Sequence, residues 1–257
     1  MKQKRIIFLL LLIASQLLQA CSLSPTTCDE LTNGKQCLRI LFIGNSYTFY
    51  NDLPGTFAEL ARAGGHQVEV QMVANGGWGF TDHVESADTL AAIQSKEWDY
   101  VVLQERSIDP AVPYSRTNFM YPTARVLVQY IRNVGAKPVF FVTWGHKHGE
   151  PDMGISNYVT MQAWIDQGYL AIAQELNVTL APVGTAWYIA QKDPATPELW
   201  QEDGSHPTVA GSYLAANVFY AKIFFQNPVG LSYMGGLSKD QASHLQEIAS
   251  KAVLNTP

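Results

Sequence analysis

Short apolar segments alternate with longer amphipathic stretches along most of this chain, and this alternation limits the possible folds more strongly than any other feature. The apolar segments are nearly continuous, which is typical of parallel strands covered on both faces. The predicted strands span residues 38–44, 68–74, 100–104, 138–144 and 177–183. The predicted helices span residues 53–63, 84–96, 117–133, 158–176, 209–225 and 239–253. This order predicts an α/β fold: a three-layer α/β/α sandwich with a central, mainly parallel five-stranded sheet.

Composition and charge narrow the range of partners. The chain has 257 residues, of which 47% are hydrophobic, and this is enough for one domain with a full core. Its formal net charge is -5, and its Lys and Arg residues are scattered rather than clustered. These features argue against nucleic acid as a partner, because a phosphate backbone requires a basic surface.

The N-terminus has the pattern of an export signal. The basic residues "MKQKR" precede an apolar run that is too short for a comfortable membrane span, so we predict a signal peptide over residues 1–20. The sequence "LQAC" that ends at Cys21 resembles the lipobox of bacterial lipoproteins, and this resemblance implies that Cys21 becomes the lipidated mature N-terminus. A plain signal peptide with an incidental cysteine is the alternative. We expect a polar tether over residues 21–37 and a domain over residues 38–257.

These features predict an exported protein that is anchored to a membrane by its lipid. In a Gram-negative host, the resemblance implies that Ser22, in place of an aspartate, leaves the protein free to reach the outer membrane. The remaining cysteines, Cys28 and Cys37, both precede the first predicted strand. They could form a disulfide in an oxidising compartment, or remain as two thiols. Neither resembles a catalytic or metal-binding cysteine.

Polar and glycine-rich segments follow the predicted strands, where ligands bind in folds of this class. These segments read "GNSYT", "NGGWGFTDH", "QERS" and "WGHKHGE" after the first four strands, and "DGSHPT" before the helix at 209–225. They combine a serine, glycine amides, a side-chain amide and an Asp/His pair. Together these groups are sufficient for acyl transfer at one edge of the sheet.

Ser46 is the candidate nucleophile. A serine hydroxyl needs a base within hydrogen-bond reach, and His206 can serve as that base. Asp203 lies three residues earlier in the same loop, where its carboxylate could orient the imidazole. Taken alone, Ser46 could be a turn or capping serine, and the loop around His206 could simply begin a helix near Pro207. The presence of both in one α/β chain favours catalysis.

The segments "FIGNSYT", "NGGWG" and "DGSHPT" resemble the first, second and fifth sequence blocks of the SGNH hydrolases, the GDSL-like esterase and lipase superfamily. The similarity extends over residues 38 to about 225. It implies the flavodoxin-like SGNH hydrolase fold, with Ser46 as nucleophile, His206 as base and Asp203 as the acid that orients it. It also implies a reaction that requires neither a metal nor an organic cofactor.

The oxyanion hole follows the family pattern less closely. Gly-Asn-Ser replaces the usual Gly-Asp-Ser, which still leaves the Ser46 amide as a donor. The resemblance implies a second donor from a glycine amide; Gly77 is favoured and Gly79 is the alternative. The usual asparagine is missing, and we predict that Gln104 replaces it, although Gln104 could equally be structural. A hole with only the two backbone donors would lose about 3 kcal/mol of transition-state stabilisation.

The segment "GHKHGEPD" holds His146 and His148 near Glu150 and Asp152, but H-x-H alone matches no closed set of metal ligands. A solvated loop beside the cleft is the preferred interpretation. Four aromatic residues near strand ends could stack on sugar rings, although core packing is their commoner fate. They are Trp78, Phe80, Tyr114 and Trp144.

The sequence therefore predicts an exported serine esterase that hydrolyses carboxylic esters through an acyl-enzyme. The preferred substrates are small-molecule or glycan esters, and O-acetyl groups on carbohydrate come first by analogy. One alternative is a non-catalytic, glycan-binding surface lipoprotein on the same fold, which the missing asparagine motivates. Another is a lipase or thioesterase that differs only in its pocket.

Overall fold

The computed structural model describes residues 27–30 and 37–254. The predicted signal peptide and Cys21 lie outside these residues, so both remain predictions from the sequence. Within the described part of the chain, no helix has the length and apolar character needed to cross a membrane.

Five parallel strands form the central sheet in the order β2-β1-β3-β4-β5. The strands are β1 Cys37–Gly44, β2 Gln67–Ala74, β3 Tyr100–Leu103, β4 Lys137–Phe141 and β5 Thr179–Ala181. Strands β4 and β5 end earlier than predicted. Pro182 has no N–H to continue the β5 ladder, and the chain turns at once into a helix. The predicted fold class is confirmed, and the strand order reverses between β1 and β3.

The helices flank this sheet on both faces. They are α1 Ser46–Phe49, α2 Leu53–Ala63, α3 Phe80–Glu85, α4 Ala87–Gln94, α5 Pro113–Ser115, α6 Tyr121–Asn133, α7 Tyr158–Leu176, α8 Val183–Ala190, α9 Val209–Phe224 and α10 Lys239–Leu254. The predicted helix at 84–96 is replaced by α3 and α4, which meet at Ser86. The Ser86 side chain accepts a hydrogen bond from the Thr89 N–H and so starts α4. Helix α8 was not predicted, because its apolar sequence continues the strand before it.

Strand β1 divides the core. Ile40 and Phe42 face the layer that contains α2, α8, α9 and α10, and the Phe42 ring packs edge-on against Phe219 of α9 at 5.4 Å. Leu41 and Ile43 face the layer that contains α3, α4, α6 and α7. All four β1 side chains are completely buried. Two covered faces explain the continuous apolar strand pattern, and they leave the carboxyl edge of the sheet as the open edge.

A disulfide joins Cys28 to Cys37 at the start of the described chain, with the two Cα atoms 5.5 Å apart. The Cys28 N–H donates to Glu69 Oε2 at 2.9 Å. Glu69 lies on β2, and Arg39 of β1 also pairs with Asp29, so a disulfide, a hydrogen bond and an ion pair fasten the segment before β1 to the sheet. This attachment lies at the edge of the sheet opposite the carboxyl ends of the strands.

Candidate active site

Ser46 lies at the carboxyl end of β1, at the first position of α1. Asn45 precedes it as the helix cap, and its Oδ1 accepts the Tyr47 N–H at 3.1 Å. The first N–H groups of a helix have no acceptor within the helix, so the Ser46 N–H is available to a ligand. Ser46 itself is partly exposed, so its hydroxyl is accessible at this edge. The abrupt end of the strand at Gly44 is what places the serine here.

Ser46 Oγ lies 2.9 Å from His206 Nε2, although the two residues are 160 positions apart. His206 Nδ1 lies 2.5 Å from Asp203 Oδ2. A carboxylate can only accept, so Nδ1 carries the proton and Nε2 is left to accept the Ser46 hydroxyl proton. The structure thus brings these three side chains into one hydrogen-bonded series, in the protonation pattern that serine catalysis requires.

The loop that carries His206 is held by the same carboxylate. Asp203 Oδ1 accepts the backbone N–H groups of Ser205 and His206, each at 2.9 Å. Partial burial acts to raise the pKa of Asp203, but hydrogen bonds from the His206 ring and from these two N–H groups outweigh it and lower the pKa to about 2. Asp203 is therefore a carboxylate throughout the ordinary pH range, and it both shapes the loop and orients the imidazole.

Aromatic rings confine the imidazole. The Tyr50 ring stacks on the His206 ring with centroids 4.6 Å apart. The Tyr47 ring meets His206 edge-on at 5.9 Å and stacks on Trp144 at 4.5 Å. The sequence interpretation missed both tyrosines, although they flank the candidate nucleophile within "NSYTFY". Their only sequence signal is proximity, since nothing in the pattern shows which way a ring points.

A direct link also ties the Ser46 segment to the His206 loop. Asn51 Nδ2 donates to the Pro207 carbonyl at 3.1 Å and to Ser212 Oγ at 2.9 Å. Asn51 has a left-handed backbone with φ of 54°, a conformation that asparagine tolerates better than most residues. The sequence interpretation missed this residue as well. Its amide keeps the two halves of the site in register.

The glycine loop after β2 offers the second backbone donor. Asn45 Nδ2 donates to the Trp78 carbonyl at 2.8 Å, which holds this loop beside Ser46. The Gly79 N–H already donates to Asp82 Oδ2 at 2.8 Å. Gly77 has φ of 75°, and its N–H has no acceptor among the described residues. This difference favours Gly77 over Gly79 as an oxyanion donor.

Gln104 does not occupy the position expected of a third oxyanion donor. Its side chain is completely buried, and its Oε1 accepts the Asn45 N–H and the Thr48 hydroxyl, both at 2.9 Å. Its Nε2 donates to the Glu105 carbonyl at 2.5 Å. The amide that was expected to face an oxyanion is therefore used beneath the Ser46 turn. The prediction of Gln104 as a donor is corrected: Gln104 supports the backbone next to the nucleophile.

Glu105 is a second buried polar residue that the sequence interpretation missed. Its Oε1 accepts the Phe80 N–H at 3.0 Å and the Arg106 N–H at 2.7 Å. Burial raises the pKa of Glu105 to about 8, and the nearby Asp109 carboxylate adds to this rise. Because Phe80 directly follows the glycine loop, Glu105 anchors the end of that loop to the end of β3.

The loop after β4 is partly exposed, and its side chains are joined by hydrogen bonds. His146 Nδ1 lies 2.8 Å from Glu150 Oε2, and His146 Nε2 lies 3.0 Å from Ser107 Oγ. Across residues 27–30 and 37–254, no group of three or more His, Cys, Asp and Glu side chains is arranged to hold a metal ion.

The aromatic residues that were considered for stacking on a sugar differ in their exposure. Phe80 and Trp144 are completely buried, whereas Tyr114 is 69% exposed.

Several solved structures are similar to this chain in fold. A protein from Slackia heliotrinireducens that is assigned to the SGNH hydrolases is 30% identical to this chain, with a TM-score of 0.61. The match covers 73% of this chain and 100% of that protein. No protein-family model matches the chain, and no curated protein matches it.

More distant structures share the fold. A DUF4886 family protein from Bacteroides uniformis is 21% identical, with a TM-score of 0.69, over 85% of this chain and 95% of its own. A variant of an acetyl-xylooligosaccharide esterase from Geobacillus is 19% identical, with a TM-score of 0.56, over 74% of this chain and 95% of its own. At these identities the likeness concerns the arrangement of strands and helices.

Proposed function

Because this chain belongs to the SGNH hydrolase superfamily, we propose that it is a serine esterase that cleaves carboxylic esters through an acyl-enzyme on Ser46. One observation carries the proposal: Ser46 Oγ, the His206 ring and Asp203 form a hydrogen-bonded series with steps of 2.9 and 2.5 Å. A turn serine would need neither an imidazole nor a carboxylate behind it. The series supplies both, in the order that activates a hydroxyl.

The first half of the reaction is acylation. His206 Nε2 takes the proton of the Ser46 hydroxyl as Oγ bonds to the ester carbonyl carbon. The negative charge that develops on the carbonyl oxygen is stabilised by the N–H groups of Ser46 and Gly77. Asp203 stabilises the imidazolium. The ester C–O bond then breaks, and His206 returns the proton to the departing alcohol.

The second half releases the acid. Water loses a proton to His206 and attacks the acyl carbonyl, and the same N–H groups stabilise the second oxyanion. The bond to Ser46 Oγ breaks, and the proton on His206 restores the serine hydroxyl. Every proton transfer in this cycle uses the 2.9 Å contact between Ser46 Oγ and His206 Nε2 or a water in the same place. Neither a metal nor an organic cofactor takes part.

We propose O-acetyl groups on carbohydrate as the substrate class. The structurally similar proteins include an acetyl-xylooligosaccharide esterase, which supports this choice by analogy of fold. The exposed ring of Tyr114 and the partly exposed rings of Trp78 and Tyr50 can offer stacking faces to a sugar. Lipase or thioesterase activity remains the alternative on the same serine.

We also propose that the protein is exported and held at a membrane by lipid on Cys21. The disulfide between Cys28 and Cys37 supports export, because disulfides persist in oxidising compartments. Replacement Cys21→Ser should move the protein from the membrane fraction to the soluble fraction. An unchanged distribution would show that lipid on Cys21 does not anchor the protein.

The enzyme proposal is tested by hydrolysis of p-nitrophenyl acetate and of acetylated xylose and glucose. We expect turnover by the wild-type protein and by Ser232→Ala, which changes an exposed serine. We expect turnover to disappear in Ser46→Ala. If the folded wild-type protein hydrolyses none of these esters but binds the sugars, the non-catalytic alternative is correct.

A further inference from the structure

A second serine, histidine and carboxylate form a hydrogen-bonded series beside the first. Ser107 Oγ lies 3.0 Å from His146 Nε2, and His146 Nδ1 lies 2.8 Å from Glu150 Oε2. The same atoms are joined in the same order as in Ser46, His206 and Asp203. Glu150 can only accept, so the proton sits on His146 Nδ1 and Nε2 accepts the Ser107 hydroxyl.

Neighbouring strands bring this second series together. Ser107 follows β3 and His146 follows β4, and these two strands pair in the sheet. Glu150 is held by an antiparallel bridge to Ile155, with hydrogen bonds of 2.7 and 3.0 Å in the two directions. The His146 N–H points to Met161 Sδ at 3.1 Å. The imidazole and its carboxylate therefore sit on backbone that is fixed from both sides.

The second series is partly exposed and lies at the same carboxyl edge of the sheet. The side chains of His146 and Glu150 are 19% and 32% exposed, and Ser107, like Ser46, is partly exposed. The hydroxyl of Tyr47 connects Ser107 to the loop that carries His206: it lies 2.6 Å from Ser205 Oγ and also hydrogen-bonds to Ser107. A group that stabilised only the core would be expected to be fully buried, whereas this one is partly exposed.

We propose that Ser107 is a second nucleophilic serine, with His146 as its base and Glu150 as the carboxylate that orients the base. It would take small acyl groups from carboxylic esters. In the step, the Ser107 hydroxyl proton moves to His146 Nε2 as Oγ bonds to the carbonyl carbon. The ester C–O bond breaks, and the alcohol leaves with the proton from His146. Water then hydrolyses the new ester by the reverse transfers.

Ser107 should react more slowly than Ser46. Ser46 starts a helix beside a glycine loop, and its own N–H and that of Gly77 are the proposed donors to an oxyanion. Ser107 starts no helix. Loss of one such donor costs about 10²- to 10³-fold in rate. We therefore expect two phases of covalent modification, a fast one at Ser46 and a slow one at Ser107.

The test is the intact mass of the protein during incubation with excess diisopropyl fluorophosphate. We expect the wild type to gain two phosphoryl groups, Ser46→Ala to gain one in the slow phase, and the double variant with Ser107→Ala to gain none. His146→Gln should abolish the slow phase and keep the fast one. His148→Gln, an exposed histidine on the same loop, should keep both.

Two results would overturn the second nucleophile. One is a folded Ser46→Ala protein, with the wild-type melting temperature, that gains no group. The other is slow modification that maps to Ser107 but proceeds equally fast in His146→Gln, since the hydroxyl would then react without its base. Absence of the fast phase at Ser46 would instead contradict the proposed esterase activity. The slow phase would still test Ser107 independently.

Discussion

Replacement of Gln104 by leucine should destabilise the protein as well as slow it. Gln104 Oε1 is the acceptor for the Asn45 N–H and the Thr48 hydroxyl, and both of these donors are almost completely buried. Leucine has a similar volume and no acceptor, so Gln104→Leu would leave the Asn45 N–H without a partner inside the protein. The Glu105 carbonyl would also lose the donor that now lies 2.5 Å away.

The size of the effect follows from these lost partners. A buried polar group without a hydrogen bond costs about 1–3 kcal/mol. The Thr48 hydroxyl can rotate toward another acceptor, and the Glu105 carbonyl has a second lone pair, so we count the Asn45 N–H fully and the other two in part. The free energy of unfolding should fall by about 3 kcal/mol. This is a large share of the 5–15 kcal/mol that is typical of a folded domain.

Urea unfolding monitored by circular dichroism measures this loss, with esterase activity measured on the same samples. Gln129→Leu is the matched control, because Gln129 is exposed on α6 and should change stability by less than about 0.5 kcal/mol. If Gln104→Leu keeps wild-type stability while kcat falls by about 10²- to 10³-fold, the side chain is an oxyanion donor after all. The structural role assigned to it here would then be wrong.

Three further results are expected. Asp203→Asn should lower kcat by about 10³-fold or more, because an amide that donates to Nδ1 imposes the wrong imidazole tautomer. Since the pKa of Asp203 is about 2, the wild type should not lose activity through protonation of Asp203 in weakly acidic buffer. The pKa of Glu105 in the folded protein is about 8, against 4.5 for the ordinary group. The contribution of Glu105 to stability is therefore complete below pH 4.5 and declines as the pH rises toward 8. Glu105→Gln should flatten that part of a plot of melting temperature against pH. Replacement of both Cys28 and Cys37 by serine should cost at most about 2–3 kcal/mol, because the bridge spans only 9 positions, and reducing agent should have the same effect on the wild type but none on the variant.

The fold and the reacting residues could be predicted because their signals are local or carried by motifs. Continuous apolar runs indicated the parallel strands, and the spacing of Asp203 and His206 indicated a loop in which the carboxylate reaches the ring. Helix α8 escaped prediction because its apolar sequence follows β5 without the polar residues that reveal a helical period. Only the missing N–H of Pro182 separates the two elements.

Other parts of the site depend on side-chain direction, which the sequence does not encode in any short pattern. Gln104 has the right chemistry for an oxyanion donor, but the end of β3 turns its amide under the Ser46 backbone. The link between His146 and Ser107 joins loops after different strands, 39 positions apart, and only the pairing of β3 with β4 brings them together. Tyr50 stacks on His206 for a similar reason.

The acyl group on Ser46 can be trapped by rapid mixing with p-nitrophenyl acetate followed by acid quenching. We expect a burst of about one equivalent of p-nitrophenol per chain, with the acetyl group on the peptide that contains Ser46. Rapid hydrolysis without a covalent acetyl group on that peptide would contradict an acyl-enzyme on Ser46.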